Sequence, residues 1–560
     1  MARLDYFAPG VYVEEVDRGS RPIEGISMSV AGFVGFTEDV RGKAELFTPQ
    51  LITSWSQYLD YFAKPGSDGF TDFDAYLPFS VKGWFDNGGG RCWVVSLGTQ
   101  LPRRRNDPPP NTEETSLAVK TAGNRPSLKF KIKPEEQENG RIVVEIAPDE
   151  PRPPEDSTEE PFDSGEYFKI TLKRGGEVLK RTIEENGQAR QVKAEYRHLT
   201  MNPEIDSREG TFVEAAFRDS PYLEVNLLVE RGLPLAVRPA DGQYEVSPPP
   251  VVYEEARLHN YIYGMRKKRT GLQGLFEVDE VATIACPDLM MAYQKGYLDR
   301  EQILGLMEVM VTGCENSAPS PPYRMVVLDP LPDCETPQDI ADWLDDWGRR
   351  SKFAALYYPW LKVPNPRNNG RPIAVPPCGH MMGVWCQTDE SRGVHKAPAN
   401  VTPRGVVGLA YDVNFREQEY LNPKGINCIR KFPNRGIKIW GARTLVELDD
   451  VQWRYISVRR LMSYIEKSIE MGTQWAVFEP NDEDLWARVT RTVRNFLERL
   501  WRNGALFGST PEEAFYVKCD GEINTTETMM LGRLYIDVGV APVRPAEFVI
   551  FRISQWAPNQ

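Results

Sequence analysis

The feature that most restricts the fold is an alternation of strands and helices between residues 251 and 375. The apolar runs VATIACPDL, RMVVLDPL and KFAALYYPWL predict strands, and the intervening DREQILGLMEVMVTGC and DIADWLDDWGRR predict helices. Buried β-runs joined by helices are typical of a parallel sheet with both faces covered. Such sheets hold ligands at the carboxyl ends of their strands, where Asp288 and Asp329 fall.

The first 98 residues predict further strands and helices of the same kind. PGVYVEEV (residues 9–16) alternates apolar and polar positions and predicts a strand, and SVAGFVGF (29–36) predicts a buried one. Helices are predicted over 54–62, with Ser54 as the N-cap, and from residue 76 to 85. RCWVVSL then predicts the strand that ends this block.

Residues 99–250 differ from their flanks in composition. PRRRNDPPP opens the segment, APDEPRPPEDSTEEP interrupts it and SPPPVV closes it, and such Pro-rich and charged runs are typical of linkers and exposed loops. SLKFKIK, RIVVEIA, YFKITLKR and YLEVNLLVE alternate and predict antiparallel strands with one solvated face. We therefore expect a mainly-β domain inserted on the outside of the main body.

The last third of the chain begins with Pro-, Gly- and Asn-rich stretches that predict loops, and then predicts two helices. The segment NDEDLWARVTRTVRNFLERLWRNG is the more regular, with Asn481 as the expected cap, acids in the first turn and an apolar stripe. Away from that stripe lie four arginines: Arg488, Arg491, Arg494 and Arg502. A concentrated basic face on an otherwise acidic chain favours docking to an acidic partner, whereas a solvated face is the simpler interpretation.

Two groups of residues are candidates for a chemical site. Asp288 and Asp329 would form a carboxylate pair, but no histidine, lysine or glycine loop is placed to assist them, and the neighbouring prolines favour a strand-to-loop exit. His380 and His395 lie near Cys378 and Cys386, with spacing unlike that of a zinc site. HExxH, GxSxG and GxxxxGK[ST] are absent. We expect no catalytic residues, no metal and no cofactor.

Charge and hydropathy exclude several classes. Lys and Arg number 67 against 80 Asp and Glu, a net charge of −13, which argues against a general nucleic-acid binder. The sequence has no apolar run of 18 residues and no secretory h-region, so we expect neither membrane insertion nor a signal peptide. The eight scattered cysteines predict reduced, packed thiols of a protein made in the cytoplasm.

The amino-acid sequence resembles those of tail sheath proteins from contractile injection systems, which include phage tails, tailocins and extracellular toxin-delivery particles. The resemblance covers residues 1–98 and most of 280–557, and leaves out the insertion. The stretches that carry it include PGVYVEEVDRGSRPIEGISMSVAGFVGFTE, YLPFSVKGWFDNGGGRCWVV, VATIACPDLM, RMVVLDPL, AALYYPWLKV, VPPCGHMMGVWCQTDESRGVHKAPAN, LNPKGINCIRKFPNRGIKIWGARTL, WRYISVRRLMSYIEKSIEMGTQWAVFEPNDEDLWARVTRTVRNFLERLWRNGALFG and GVAPVRPAEFVIFRISQ.

The resemblance implies a mechanical subunit rather than an enzyme. Such subunits stack as rings around an inner tube and then contract, and the work comes from two packings of the same chains. It implies inter-subunit strands in both terminal arms, and a tube contact on the helix that carries Arg488, Arg491, Arg494 and Arg502. Residues assigned to the strand arms are Val11, Tyr12, Val13, Glu14, Phe548, Val549, Ile550, Phe551 and Arg552. It also agrees with a long loop layer over HMMGVWCQTDESRGVHKAPAN.

The predicted architecture is a multidomain α/β and α+β chain. Its core is built from the N- and C-terminal parts, with an inserted outer domain and two extended arms. The predicted segments are an N-terminal arm with a strand (1–20), the first part of the sheath core (21–98), the mainly-β insertion (99–250), an α/β sheath domain (251–375), a C-terminal core domain with the tube-facing helix (376–540) and a C-terminal arm with a strand (541–560).

The partners implied are further copies in a helical polymer, the inner tube protein, baseplate and terminal cap proteins, and a second sheath paralogue. Nucleic acid is not among them, and the chain itself is not expected to insert into a membrane. The particle would be released from the cell or anchored at a membrane. Two alternatives stay open: an α/β enzyme with a carboxylate site at Asp288 and Asp329, and a surface-binding module that uses residues 99–250.

Overall fold

A computed structural model describes most of the chain. The described residues are 22–105, 107, 116–139, 141–152, 165–185, 188–228, 233–246, 252–316 and 323–552. The predicted strand at 9–16, with Val11, Tyr12, Val13 and Glu14, lies outside them. Mixed strands and helices in several sheets confirm the predicted fold class.

The segment before residue 99 folds as its periodicity predicts. Ser54 caps the first helix by accepting a hydrogen bond from the Gln57 N–H at 3.1 Å. The elements of this segment are β1 (Val30–Gly35), β2 (Pro49–Ile52), α1 (Trp55–Phe62), α2 (Tyr76–Asp86) and β3 (Arg91–Ser96).

The inserted segment has its own apolar core, formed mainly by alternate residues of a three-stranded antiparallel sheet and of a six-stranded sheet in which one edge pair is parallel. A charged network of Asp39, Arg41, Arg141 and Glu245 joins it to the main body. Its elements are β4 (Leu117–Lys120), β5 (Pro126–Ile132), β6 (Ile142–Pro148), β7 (Phe168–Arg174), β8 (Glu177–Val178), β9 (Lys180–Glu185), β10 (Gln188–Lys193), β11 (Glu195–Thr200), β12 (Thr211–Phe212), α3 (Val213–Phe217), β13 (Leu223–Leu227), α4 (Pro234–Val237) and β14 (Gly242–Val246).

The following segment alternates strands and helices as predicted. Its first long helix, Arg300–Glu315, begins with a capping box, in which Asp299 and Gln302 satisfy each other's backbone N–H groups. The elements are α5 (Leu258–Tyr263), α6 (Gly271–Phe276), β15 (Thr283–Ala285), α7 (Asp288–Gln294), α8 (Arg300–Glu315), β16 (Met325–Leu328), α9 (Pro337–Trp347), β17 (Ala354–Tyr358), β18 (Leu361–Pro364), β19 (Pro372–Val375), α10 (Cys378–Arg392), β20 (Gly408–Leu409), α11 (Phe415–Leu421), β21 (Ile426–Phe432) and β22 (Gly436–Ile439).

The remaining residues form a smaller helical and β unit with a separate apolar core. Its elements are α12 (Ile456–Gly472), α13 (Glu483–Arg502), α14 (Pro511–Ala514), β23 (Phe515–Lys518), α15 (Thr526–Met530) and β24 (Asp537–Val540). Single 3₁₀ turns also occur at Pro134–Asn139, Glu255–Arg257, Pro366–Asn368, Asn422–Lys424 and Gln474–Ala476.

One sheet organises the main body. Eight of the described strands pair in the order β2-β3-β1-β15-β16-β17-β21-β22. The pairs from β3 through β21 are parallel, and only β2 and β22 at the two edges run antiparallel. The sheet draws on the predicted segments 21–98, 251–375 and 376–540. The boundaries between those segments stay predictions.

The prediction of loops directly after residue 376 is wrong for residues 378–392. Cys378–Arg392 forms the helix α10, which is buried on nearly every side. Glycines let it approach α2 closely: a Cβ on Gly379 would lie 2.3 Å from the Ser80 carbonyl oxygen, and one on Gly383 would lie 2.7 Å from that of Trp84. A helix buried all round shows no amphipathic period, so the sequence pattern resembled a loop.

Candidate interaction surfaces

The helix α13 is fixed to the C-terminal unit by its apolar stripe, in which Leu485, Val489 and Val493 are fully buried. The N-cap is Asp482, whose side chain accepts a hydrogen bond from the Leu485 N–H at 2.8 Å. Asn481, the expected cap, instead accepts from the Trp486 indole at 2.8 Å. The stripe leaves the opposite side of the helix in solvent.

The four arginines singled out by the sequence lie on this solvent side, and three of them pair with carboxylates. Arg488 pairs with Glu479 at 3.2 Å, Arg494 with Glu512 at 2.9 Å and Arg502 with Glu498. Their side chains are 43%, 55% and 69% exposed, so each pair is worth at most about 1 kcal/mol. These arginines can exchange their carboxylates for a partner's at little cost.

Arg491 is different from its neighbours, because no carboxylate among the described residues pairs with it. It lines a shallow groove of about 590 Å³ between α13 and the turn at Cys519 to Gly521. Trp486, Thr490 and Asp520 line the same groove. A fifth arginine that the sequence argument missed, Arg499, donates to the Ile23 carbonyl and so serves the fold itself.

The C-terminal arm leaves the body at Glu547. This carboxylate accepts hydrogen bonds from Arg443 (2.7 Å to Nη2), Asn422 (2.7 Å) and Tyr455 (3.0 Å). Burial works against its charge, but these hydrogen bonds and the charge of Arg443 hold the pKa of Glu547 below its usual value. The arm therefore has a fixed root.

Beyond that root the chain turns outward. Phe548, Val549, Ile550 and Phe551 are 70–82% exposed, and Arg552 is exposed as well. Over 547–552 the described backbone forms no strand in the single chain. The assignment of 548–552 to an inter-subunit strand stays a prediction. Four consecutive exposed apolar side chains are uncommon in a soluble monomer.

A small sheet close to α13 has open edges. β23 pairs with β24 antiparallel, with Phe515 opposite Val540, and among the described strands no third one joins them. An edge strand presents unpaired backbone N–H and C=O groups that can accept an added strand. Exposed side chains of this unit include Phe507 and Tyr516.

Asp288 and Asp329 accept hydrogen bonds from backbone N–H groups at the starts of helices and do not face a common cleft. The Asp288 carboxylate accepts from the backbone N–H groups of Phe36 (2.6 Å) and Tyr76 (2.5 Å), the second at the start of α2. Asp329 accepts from the Cys378 N–H at 2.9 Å, at the start of α10. Burial raises the pKa of both carboxyl groups to about 7, partly offset by these hydrogen bonds.

The histidines and cysteines near residue 380 are part of the core. His380 lies on α10 against α2, and burial lowers its pKa to about 4. Among the described residues, no group of three or more His, Cys, Asp or Glu side chains is placed to hold a metal ion. All eight cysteines are free thiols, and all but Cys519 are buried. None of the described helices has the length and apolar character needed to cross a lipid bilayer.

Comparison with known proteins identifies families and relatives with similar sequences. The family model "Phage tail sheath protein central domain" matches residues 349–445, and "Phage tail sheath C-terminal domain" matches 449–555. A tail sheath protein of Salmonella phage ViI is 26% identical over 40% of this chain and 34% of its own length. A putative prophage major tail sheath protein of Pseudomonas aeruginosa (strain UCBPP-PA14) is 27% identical over 32% of this chain and 47% of its own. The matches thus span about a third to a half of these curated relatives.

Solved structures match over a longer stretch. The anti-feeding prophage helical sheath in its contracted state aligns with a TM-score of 0.54 and 23% identity, covering 98% of this chain and 100% of that one. The sheath complex of an extracellular contractile injection system, PVC, in its contracted state aligns with a TM-score of 0.54 and 22% identity, covering 98% of each chain. The fold is that of contractile sheath proteins. The two family-model matches, the tail sheath relatives and the shared fold confirm the resemblance to tail sheath proteins drawn from the sequence.

Proposed function

We propose that this chain is the structural subunit of a contractile sheath, which polymerises as stacked rings around an inner tube and drives that tube through a target envelope. The observation that carries the proposal is the exposed apolar arm at 548–551, rooted by Glu547 within the sheath C-terminal domain. Neither a catalytic step nor a cofactor is part of it. The work comes from a change in the packing of identical chains.

The arm supports polymerisation for a physical reason. Its apolar side chains gain roughly 25 cal/mol for each Å² removed from water, and its backbone gains ladder hydrogen bonds when it joins a sheet edge. The β23–β24 sheet offers such an edge on every copy. An arm that reaches a neighbour's edge, rather than its own, makes a head-to-tail contact that generates a helical polymer.

The other partners follow from the surfaces. We assign the inner tube to the solvent side of α13, through Arg488, Arg491, Arg494 and Arg502, because their carboxylates are weakly held. The insertion, residues 99–250, decorates the outside. Baseplate and terminal cap proteins and a second sheath paralogue complete the partners, in a particle that is released or membrane-anchored.

Electron microscopy of the purified chain, with sedimentation to quantify polymer, tests the proposal. Hollow, striated cylinders are the expected product, formed by the chain alone or after co-expression with its tube protein. A chain that stays monomeric or forms a small closed oligomer under both conditions contradicts the sheath function.

The arm itself is tested by Phe548→Asp/Phe551→Asp. We expect the free energy of unfolding to change by less than about 0.5 kcal/mol, because both side chains are exposed, while pelletable polymer is lost. The matched control is Leu233→Asp/Phe415→Asp, two exposed apolar side chains (79% and 65%) far from the arm in sequence. Polymer formed equally by both variants would remove the arm from the assembly.

A further inference from the structure

A second basic surface lies far from α13 in the sequence. The loop between α5 and α6, residues 264–270, carries four consecutive cations at its tip: Arg266, Lys267, Lys268 and Arg269. All four are exposed, and the apolar side chains of Tyr263 and Met265 beside them are 41% and 52% exposed. We call residues 264–270 the basic loop.

The basic loop has a defined shape. Met265 and Thr270 close it with two hydrogen bonds, from the Met265 N–H to the Thr270 hydroxyl (3.0 Å) and from the Thr270 N–H to the Met265 carbonyl (3.1 Å). Arg269 takes a left-handed backbone conformation (φ 53°) within it, and Gly271 is tied to Phe47 by a 2.8 Å backbone hydrogen bond. The cations are therefore presented on an ordered turn fixed to the body.

The fold does not use most of these charges. Arg266 pairs with Glu277, but among the described residues no carboxylate pairs with Lys267, Lys268 or Arg269. Adjacent cations repel one another, and the chain as a whole carries a net charge of −13. Three unpaired neighbouring cations on an ordered loop of an acidic protein indicate an acidic partner surface.

The same chain presents an acidic surface of matching size. Asp339, Asp342 and Asp346 follow one side of α9 at helical spacing, and Glu335 lies just before Thr336, the N-cap of that helix. All four carboxylates are exposed. Asp342 accepts a hydrogen bond from Gln338 at 2.7 Å, and Asp346 makes a loose 3.4 Å contact with Arg300 while 75% exposed. We call these four residues the acidic face.

The two surfaces lie at different ends of one helical layer. α6 packs over β1, β2 and β3 at one end of the large sheet, and α5 packs against α8. Arg300 of α8 reaches Asp346 of α9, and α9 packs against α11, which covers β21 near the other end. Opposite charges at opposite ends suit a head-to-tail contact between copies, which repeats without burying either surface within one chain.

We propose that the basic loop docks onto the acidic face of a second copy of this chain. The contact rests on the proposed function, because it needs a polymer of identical subunits. It is separate from the arms: the arm supplies backbone pairing and apolar burial, whereas the basic loop supplies charge complementarity that sets which neighbour is met and in which orientation. A polymer of subunits with a net charge of −13 needs such complementary contacts to offset repulsion.

The test is a charge swap. Lys267→Glu/Lys268→Glu is expected to raise the concentration needed for polymerisation about tenfold at low salt, because two attractive contacts become repulsive. Asp342→Lys/Asp346→Lys is expected to do the same, and the fourfold combination to restore polymer. The matched control, Lys120→Glu/Lys193→Glu, reverses two exposed lysines of the insertion and is expected to polymerise like the unaltered chain.

The outcomes separate this contact from the sheath function. Cylinders from the unaltered chain, together with unchanged assembly of the Lys267→Glu/Lys268→Glu variant, overturn the contact and leave the sheath function standing. Loss of polymer without rescue by the fourfold variant also overturns it, because the acidic face is then not the receiving surface. Normal assembly with loss of binding to double-stranded DNA would assign the loop to nucleic acid instead. A chain that forms no cylinders at all, even with its tube protein, overturns both.

Circular dichroism spectra and thermal melting temperatures identify variants that fail to fold. Lys267→Ala/Lys268→Ala provides a milder version, with an expected threefold rise in the polymerisation concentration, since attraction is removed without repulsion. At salt concentrations above 0.5 M, the polymerisation concentrations of the unaltered chain and of both loop variants are expected to become more similar, because the screening length falls well below 10 Å.

Discussion

Charged groups in the sheet region and in the C-terminal unit are used in different ways. At the large sheet, and where α12 of the C-terminal unit meets it, several charged groups are buried and paired: Asp288 and Asp329 hold helix ends, and Arg460 on α12 is paired with Asp389 on α10 at 2.7 Å. On α13 the arginines are exposed, and their pairs are weak or, for Arg491 among the described residues, missing.

The difference shows where the chain can change partners. A buried charge that loses its counterion costs several kcal/mol, so the groups around the sheet hold one arrangement. An exposed ion pair costs about 1 kcal/mol or less to break, so the C-terminal unit can bind one surface and release it for another. A sheath that contracts needs both: bodies that stay intact and surfaces that are exchanged.

The largest effect is expected at Arg460. Its side chain is 1% exposed, lies over the Trp385 ring and also donates to the Met28 carbonyl at 3.3 Å. Arg460→Ala leaves Asp389 buried without its cation, and we expect a loss of about 3–5 kcal/mol in the free energy of unfolding, measured in urea on unpolymerised chain.

The double variant Arg460→Met/Asp389→Leu is the control, because it removes both charges and keeps the apolar volume. We expect it to unfold at a urea concentration closer to that of the unaltered chain than Arg460→Ala does. A cost below about 1 kcal/mol for Arg460→Ala would place this pair with the exposed ones and break the contrast between the two regions.

A pH dependence of intermediate size is expected from Asp329. Its pKa is raised to about 7 in the folded chain and is about 4 in the unfolded chain, so the folded chain holds a proton that the unfolded chain has lost. The free energy of unfolding therefore falls as pH rises from about 4 to about 7. Asp329→Asn retains an acceptor for the Cys378 N–H and removes this contribution.

The free energy of unfolding is measured in urea at pH 5 and at pH 7. We expect its decrease between these two pH values to be smaller by roughly 2 kcal/mol in Asp329→Asn than in the unaltered chain. Asp60→Asn, at an exposed position on α1, is the control and should keep the full decrease. Equal slopes for the two variants would show that Asp329 does not exchange a proton on unfolding.

A helix can be predicted from the sequence when one of its sides is buried and the other is exposed to solvent. α8, α9 and α13 carry an apolar stripe, a polar side and an acidic or threonine cap, so their limits were predicted to within a few residues. α10 has no polar side over its buried part, and Gly379 and Gly383 favour a loop when the sequence is considered alone. Their purpose, close contact with α2, depends on residues about 300 positions earlier in the sequence.

The candidate sites show the same limit. A carboxylate at a strand end is consistent with catalysis or with capping, and the choice for Asp288 depends on the N–H groups of Phe36 and Tyr76, brought near by the fold. The apolar residues 548–551 favour a strand, but this preference does not indicate whether the partner strand belongs to the same chain or to another copy. The basic loop lies between two six-residue helices, which are too short to show a clear helical period in the sequence.

A smaller effect on stability than at Arg460 or Asp329 is expected at α13, where the change should act on assembly around the tube. Arg488→Glu/Arg491→Glu changes two solvent-side residues, so we expect the free energy of unfolding to shift by less than about 1 kcal/mol. Sheath polymer should still form from the chain alone. Assembly around the tube protein, measured by co-sedimentation and by the fraction of filled cylinders in electron micrographs, should be lost.

The control for α13 is Arg257→Glu/Arg416→Glu, which makes the same change of charge at two exposed arginines outside the C-terminal unit. It should assemble around the tube normally. If Arg488→Glu/Arg491→Glu also fills its cylinders, the weak pairing on α13 does not reflect exchange with the tube. If instead it loses empty cylinders as well, these arginines contact other sheath subunits, and the exchangeable surface of the C-terminal unit faces neighbouring copies rather than the tube.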